Sequence, residues 1–162
     1  VPLLVKGYYY YRRFDGEKEY PIHARKKGSL DANEEILLDG NKMAEGHDYF
    51  SIGGTSVSTN SNIMAYSTDT VSRRIYTIEF KELSTNKKLN DKLEGTSGSV
   101  VWANDNKTLF YIKKDPETLL GYQVFRHTLG TDQAEDVLVY EEKDKTYYTY
   151  LSKTKDDSAI YI

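Results

Sequence analysis

Short apolar runs separated by polar turns fill the 162-residue chain, and they alternate with the period of two that marks strands, not the 3.6 of helices. Tyr8-Tyr-Tyr-Tyr-Arg-Arg13 predicts a strand, Phe14-Asp-Gly-Glu-Lys18 a hairpin turn, and Tyr20 to Lys26 the antiparallel return. Glu35-Ile-Leu-Leu38 predicts a third strand, and Asn41 to Gly46 one helical turn closed by Gly46. Four strands are then predicted over 48–57, 63–67, 75–80 and 88–93, and four more over 97–103, 108–113, 122–128 and 137–140. A last pair covers 146–153 and 159–162. The groups hold three, four, four and two strands, thirteen in all.

A block recurs within this pattern. It reads Ser58-Thr-Asn60-Ser-Asn-Ile-Met-Ala-Tyr66, then Ala103-Asn-Asp105-Asn-Lys-Thr-Leu-Phe-Tyr111, then Thr154-Lys-Asp156-Asp-Ser-Ala-Ile-Tyr-Ile162. Its Asn60, Asp105 and Asp156 can accept from backbone N–H groups two residues on, an Asx turn that fixes hairpin register. Strand-turn-strand units repeating every ~40–50 residues are the mark of a β-propeller blade. The fold expected is all-β: a partial propeller with a blade remnant over 7–39, complete four-stranded blades over 48–93 and 97–141, and a blade begun over 146–162. Gly53-Gly54 is expected where neighbouring blades crowd the central axis, because a missing Cβ permits close approach. Trp102, the only tryptophan, is expected in the core or between blades.

Composition narrows the function. Fifteen tyrosines against three prolines suit a sheet surface. Twenty-two basic and 25 acidic residues are interspersed, for a net charge of −3, which argues against a nucleic-acid partner. The runs Arg12-Arg13, Arg25-Lys26-Lys27 and Arg73-Arg74 read as solvated strand ends. No cysteine is present, so disulfides and thiolate chemistry are out. No apolar stretch approaches the ~20 residues that span a bilayer as a helix, so no membrane partner is expected. The opening Val1-Pro-Leu-Leu-Val-Lys6 and the mid-strand stop at Ala159-Ile-Tyr-Ile162 suggest a fragment of a longer protein.

The chain shows no catalytic apparatus. It lacks the Gly-x-Ser-x-Gly elbow, and Gly95-Thr-Ser97-Gly-Ser99 has the wrong spacing and precedes a strand. His23, His47 and His127 are far apart, with no nucleophile to serve, and read as strand or loop residues. There is no His-x-x-x-His, EF-hand or phosphate-binding glycine loop, and the acidic stretches Asp115-Pro-Glu117 and Asp132 to Asp136 read as solvated turns. No metal or cofactor is expected.

Longer motifs point to a family. Gly7-Tyr-Tyr-Tyr-Tyr-Arg-Arg-Phe14, Arg25-Lys-Lys-Gly-Ser-Leu-Asp31 and Ala44-Glu-Gly-His-Asp-Tyr-Phe50 resemble the propeller of the oligopeptidase B (protease II) branch of the prolyl oligopeptidase family. So do Asp69-Thr-Val-Ser-Arg-Arg-Ile-Tyr76, Ser97-Gly-Ser-Val-Val-Trp-Ala-Asn-Asp105 and Tyr122-Gln-Val-Phe-Arg-His127. The likeness runs through essentially the whole chain. It implies a seven-bladed propeller joined to an α/β-hydrolase domain that carries the serine, aspartate and histidine, in a peptidase cutting short peptides after Arg or Lys. None of those catalytic residues has a counterpart here. The propeller's implied part is a gate that keeps folded proteins from the active site, with the catalytic domain and short peptides as partners. Asp69, Arg73 and Arg74 are candidates for interdomain salt bridges at that gate, against the plainer reading of a local strand-end pair. The resemblance also implies a cytoplasmic location and leaves a periplasmic one open. The competing class is a propeller that binds a protein or glycan on its rim with no enzyme attached. A third class, an intact small all-β enzyme, has the missing nucleophile against it. Exposed edges at Tyr8 to Arg13 and Ala159 to Ile162 predict self-association.

Overall fold

The computed structural model describes residues 1–162, and strands account for nearly all of its regular structure. Two compact units divide the chain, Val1–Phe50 and Ser51–Ile162.

The first unit is a four-stranded antiparallel meander of β1 (Leu3–Val5), β2 (Tyr8–Arg13), β3 (Ile22–Lys27) and β4 (Glu34–Asp39). Sequence reasoning anticipated three of these strands. The fourth, β1, is created by the pair Lys6-Gly7, whose φ angles of 48° and 82° give the tight hairpin that sets Val5 opposite Tyr8. Because β1 covers one side of β2 and β3 the other, Tyr8–Arg13 is not an open edge; β1 and β4 are the edges. Ile22, Ala24, Leu37, Leu38 and Phe50 are buried. Asp39 caps the one-turn helix α1 (Gly40–Ala44), accepting from the backbone N–H groups of Asn41 and Lys42.

Arg25 departs from the solvated reading of its basic run. Only 4% exposed, it donates from Nε to Glu35 at 2.7 Å and lays its guanidinium 4.0 Å from the Tyr8 ring centroid. The paired strands set Tyr10 opposite Arg25, and the Tyr10 hydroxyl takes a further hydrogen bond at 3.4 Å. Arg13 grips Glu34 with two bonds of 2.9 and 2.8 Å, and the Tyr11 hydroxyl donates to the same carboxylate at 2.8 Å. Those donors hold Glu34 well below the usual carboxylate range, at about 2. Burial, then Glu34, pushes Tyr11 up to about 12.

The second unit is a seven-stranded antiparallel meander of β5 (Ser51–Val57), β6 (Ile63–Asp69), β7 (Tyr76–Glu82), β8 (Lys87–Trp102), β9 (Thr108–Lys114), β10 (Gly121–Thr128) and β11 (Val137–Glu141). A separate pair, β12 (Ser152–Lys153) and β13 (Ile160–Tyr161), ends the chain. The strands expected over 88–93 and 97–103 are one continuous strand, β8, whose first part pairs with β7 and whose last part pairs with β9. Its irregular middle explains the sharing: Gly95 and Gly98 have φ of 72° and 88°, and the register to β9 slips between Thr96 and Val100. Tyr147, Tyr148 and Tyr150 lie outside the last strand pair and are 64–72% exposed, so strand-forming residues without a partner strand make no strand there.

Ala65, Ile78, Phe80, Leu93, Trp102, Leu109 and Tyr111 form the core. Trp102 packs edge-on to Phe80 with ring centroids 6.1 Å apart, and its indole N–H donates to the Ser56 carbonyl at 3.2 Å. That bond ties β8 to β5, so one residue serves both core and strand-to-strand packing. Gly53 and Gly54 are crowded by strands of their own sheet, β6, β7 and the middle of β8. A Cβ on Gly53 would collide with the Tyr76 ring, and one on Gly54 would lie 3.3 Å from the Gly98 carbonyl.

Candidate functional site

The recurring blocks fold alike. Asn60, Asp105 and Asp156 accept from the N–H groups of Asn62, Lys107 and Ser158 at 3.2, 3.0 and 3.1 Å. The next residue in each, Ser61, Asn106 and Asp157, is left-handed at φ of 61°, 59° and 60°. The turns also clasp one another, which the repeat alone does not reveal. Asn60 N–H donates to Asn106 Oδ1 at 2.7 Å, and Asn104 Nδ2 donates to the Asp157 carbonyl at 2.9 Å. Lys153 closes the second clasp by donating to Asn104 Oδ1 at 2.6 Å.

The three gate candidates separate into two roles. Asp69, at the end of β6, is 1% exposed and accepts from the backbone N–H groups of Val71 and Arg74 at 2.9 and 2.8 Å. It builds the turn between β6 and β7 and makes no ion pair with Arg73 or Arg74. Ser72 and Arg74 are left-handed at φ of 59° and 55°, a shape that Asp69 stabilises. Both arginine side chains stand at the surface. Behind them Lys114 donates to the Arg74 carbonyl at 2.7 Å, and burial, then repulsion from Arg74, lowers its pKa. The turn is thus a firm mount that presents two guanidinium groups outward.

The three histidines do not converge. His23 lies on β3, where burial and then Arg12 lower its pKa. His47 stacks on Phe50 at 6.1 Å, and both belong to the first unit. In the second unit, His127 on β10 lies between Asp91 and Asp136, 2.9 Å and 2.6 Å from their oxygens. Sequence reasoning missed that arrangement, because Asp91 is 36 positions away and only strand pairing brings it near. The serine-rich segment builds the irregularity of β8: Thr96 donates its hydroxyl to the Tyr76 carbonyl at 2.9 Å and accepts from Gly98 N–H at 3.1 Å. No three or more His, Cys, Asp or Glu side chains are placed so that they could hold a metal ion.

The model of one family, "Prolyl oligopeptidase, N-terminal beta-propeller domain", matches residues 1–162. The chain belongs to that family. Its relatives are peptidases. It is 41% identical to a protein named dipeptidyl aminopeptidase BI of Pseudoxanthomonas mexicana and 35% identical to protease 2 of Moraxella lacunata, in both cases over the whole of this chain. The chain spans only 24% of the length of either relative. Among solved structures, oligopeptidase B of Leishmania major matches 98% of the chain at a TM-score of 0.91 and 34% identity, over 23% of its own length. Oligopeptidase B of Trypanosoma brucei, in a closed form with covalently bound antipain, matches 98% at 0.88 and 30%, over 22% of its length. As part of a prolyl oligopeptidase propeller, the sheets are partial blades, and within the second unit the clasped turns and the shared strand β8 join its successive groups of strands.

Proposed function

We propose that this chain is part of the gating propeller of a serine oligopeptidase that cleaves short peptides after Arg or Lys in the cytoplasm, with the catalytic groups on an α/β-hydrolase domain of the same protein. The likeness to two oligopeptidase B structures over 98% of the chain carries this reading. In it, the chain alone is inactive. The full-length protein should cleave short fluorogenic peptides after Arg or Lys, with activity lost on replacing its nucleophilic serine; a preference for proline, or serine-dependent cleavage by this chain alone, would refute the assignment. The 41% identical dipeptidyl aminopeptidase supports a second reading, removal of dipeptides from a free N-terminus. N-terminally blocked peptides separate the two, since only an endopeptidase cuts them.

Within this function Arg73 and Arg74 reach across to carboxylates on the catalytic domain, while Asp69 holds their turn. An interdomain pair shielded from water is worth more than the ~0–1 kcal/mol of an exposed one. Arg73→Glu with Arg74→Glu in the full-length protein should therefore change kcat/KM for short peptides by about tenfold. An unchanged value refutes the gate. The chain by itself should self-associate through the exposed edges β1 and β13, where Leu3 is 66% and Tyr161 56% exposed. Sedimentation that finds only monomer counts against this.

A further inference from the structure

Two carboxylates face opposite nitrogens of one buried ring. Asp91 on β8 approaches His127 Nε2 at 2.9 Å, and Asp136, just before β11, approaches Nδ1 at 2.6 Å. The His127 side chain is 0% exposed, and those of Asp91 and Asp136 are 8% and 1% exposed. Every neighbouring element adds a group that is neutral or already engaged. From β7, Phe80 stacks on the ring at 6.1 Å. From β9, the Tyr111 hydroxyl donates to Asp136 at 2.8 Å, and from the turn after β10, Gly130 N–H donates to Asp91 at 2.7 Å. On β8, Lys92 pairs with Glu94 at 2.7 Å, and the Glu94 backbone exchanges hydrogen bonds with the Gln133 amide. Glu135 is occupied by the Asp132 N–H.

No lysine or arginine forms an ion pair with Asp91 or Asp136. A neutral imidazole has one N–H and one lone pair, so it would leave one buried carboxylate facing a lone pair. A ring with both nitrogens protonated donates to both and supplies the positive charge that two buried carboxylates require. We infer that Asp91, His127 and Asp136 form a proton-holding lock, with His127 doubly protonated, that fastens the segment leading into β11 to the shared strand β8.

Histidine 15N NMR of the full chain at about pH 8, where a free ring is neutral, should show two ring N–H groups on His127. A bare ring nitrogen on His127 at that pH overturns the inference. Asp91→Asn supplies the second test. Asp91 Oδ2 faces both Nε2 and Gly130 N–H, so an asparagine oxygen in its place keeps the Gly130 bond and removes only the negative charge beside Nε2. That variant, with a carboxylate left only at Nδ1, should show a single ring N–H, at Nδ1, at about pH 8. Two ring N–H groups in Asp91→Asn at that pH overturn the lock; should that variant not fold, the wild-type spectrum decides alone.

Discussion

Gly53→Ala tests the account of how the strands of the second unit pack. A Cβ there would lie 2.6 Å from Tyr76 Cδ1 and 2.8 Å from Ser67 Oγ, well inside van der Waals contact. The ring has little room to yield. Gly98 approaches it from the Cγ and Cδ2 side, where a Cβ would lie only 3.0 and 3.1 Å away, and the Tyr76 carbonyl is held by the Thr96 hydroxyl at 2.9 Å. Overpacking of this kind costs about 1–3 kcal/mol. Gly53 is not left-handed, so alanine also restricts the unfolded chain, which returns up to ~1 kcal/mol. The expected net loss is about 1–2 kcal/mol. Urea unfolding followed through Trp102, which is 3% exposed and brightly sensitive to opening, reads it directly. Gly54→Ala meets only the Gly98 carbonyl at 3.3 Å and should lose about half as much or less. Adding Tyr76→Ala should cancel most of the Gly53→Ala penalty in a double-mutant cycle. A Gly53→Ala chain as stable as wild type refutes the reasoning.

Two further outcomes follow from the polar contacts. Asp69→Ala strips two backbone N–H groups of their acceptor in a buried place and should cost about 2–4 kcal/mol, whereas Arg73→Ala should stay within ~0.5 kcal/mol; equal urea midpoints for the two variants would contradict the division of roles. Glu34 has its folded pKa lowered to about 2, so its contribution is present above its ordinary value near 4.5 and is lost as pH falls toward 2. The full shift would correspond to about 3 kcal/mol, and partial exposure with solvent screening reduces this to ~1 kcal/mol. The stability gap between wild type and Glu34→Gln should therefore close on acidification, as read by circular dichroism melts at about pH 6 and pH 3; a gap independent of pH removes the Arg13–Glu34–Tyr11 contact as its cause.

The alternation of apolar residues and the block repeated at Ser58, Ala103 and Thr154 determine a blade-like sheet by themselves, because strand period and Asx turns are local properties. Asn60, Asp105 and Asp156 could be assigned their turns for that reason, and Gly53-Gly54 their crowded strand. What tertiary structure decided is wherever two distant segments must meet. The union of 88–93 with 97–103 into β8 depends on neighbours on both sides, and the burial of Arg25 depends on Tyr8 and Glu35 lying on adjacent strands. Asp69 read as half of an ion pair, at a gate or at a strand end, because its partners, two backbone N–H groups, leave no mark in the sequence. His127 read as an ordinary strand residue because only the pairing of four strands brings Asp91 to one side of its ring and Asp136 to the other. Local chemistry wrote the strands and turns; long-range pairing chose which charges are buried, and with what partner.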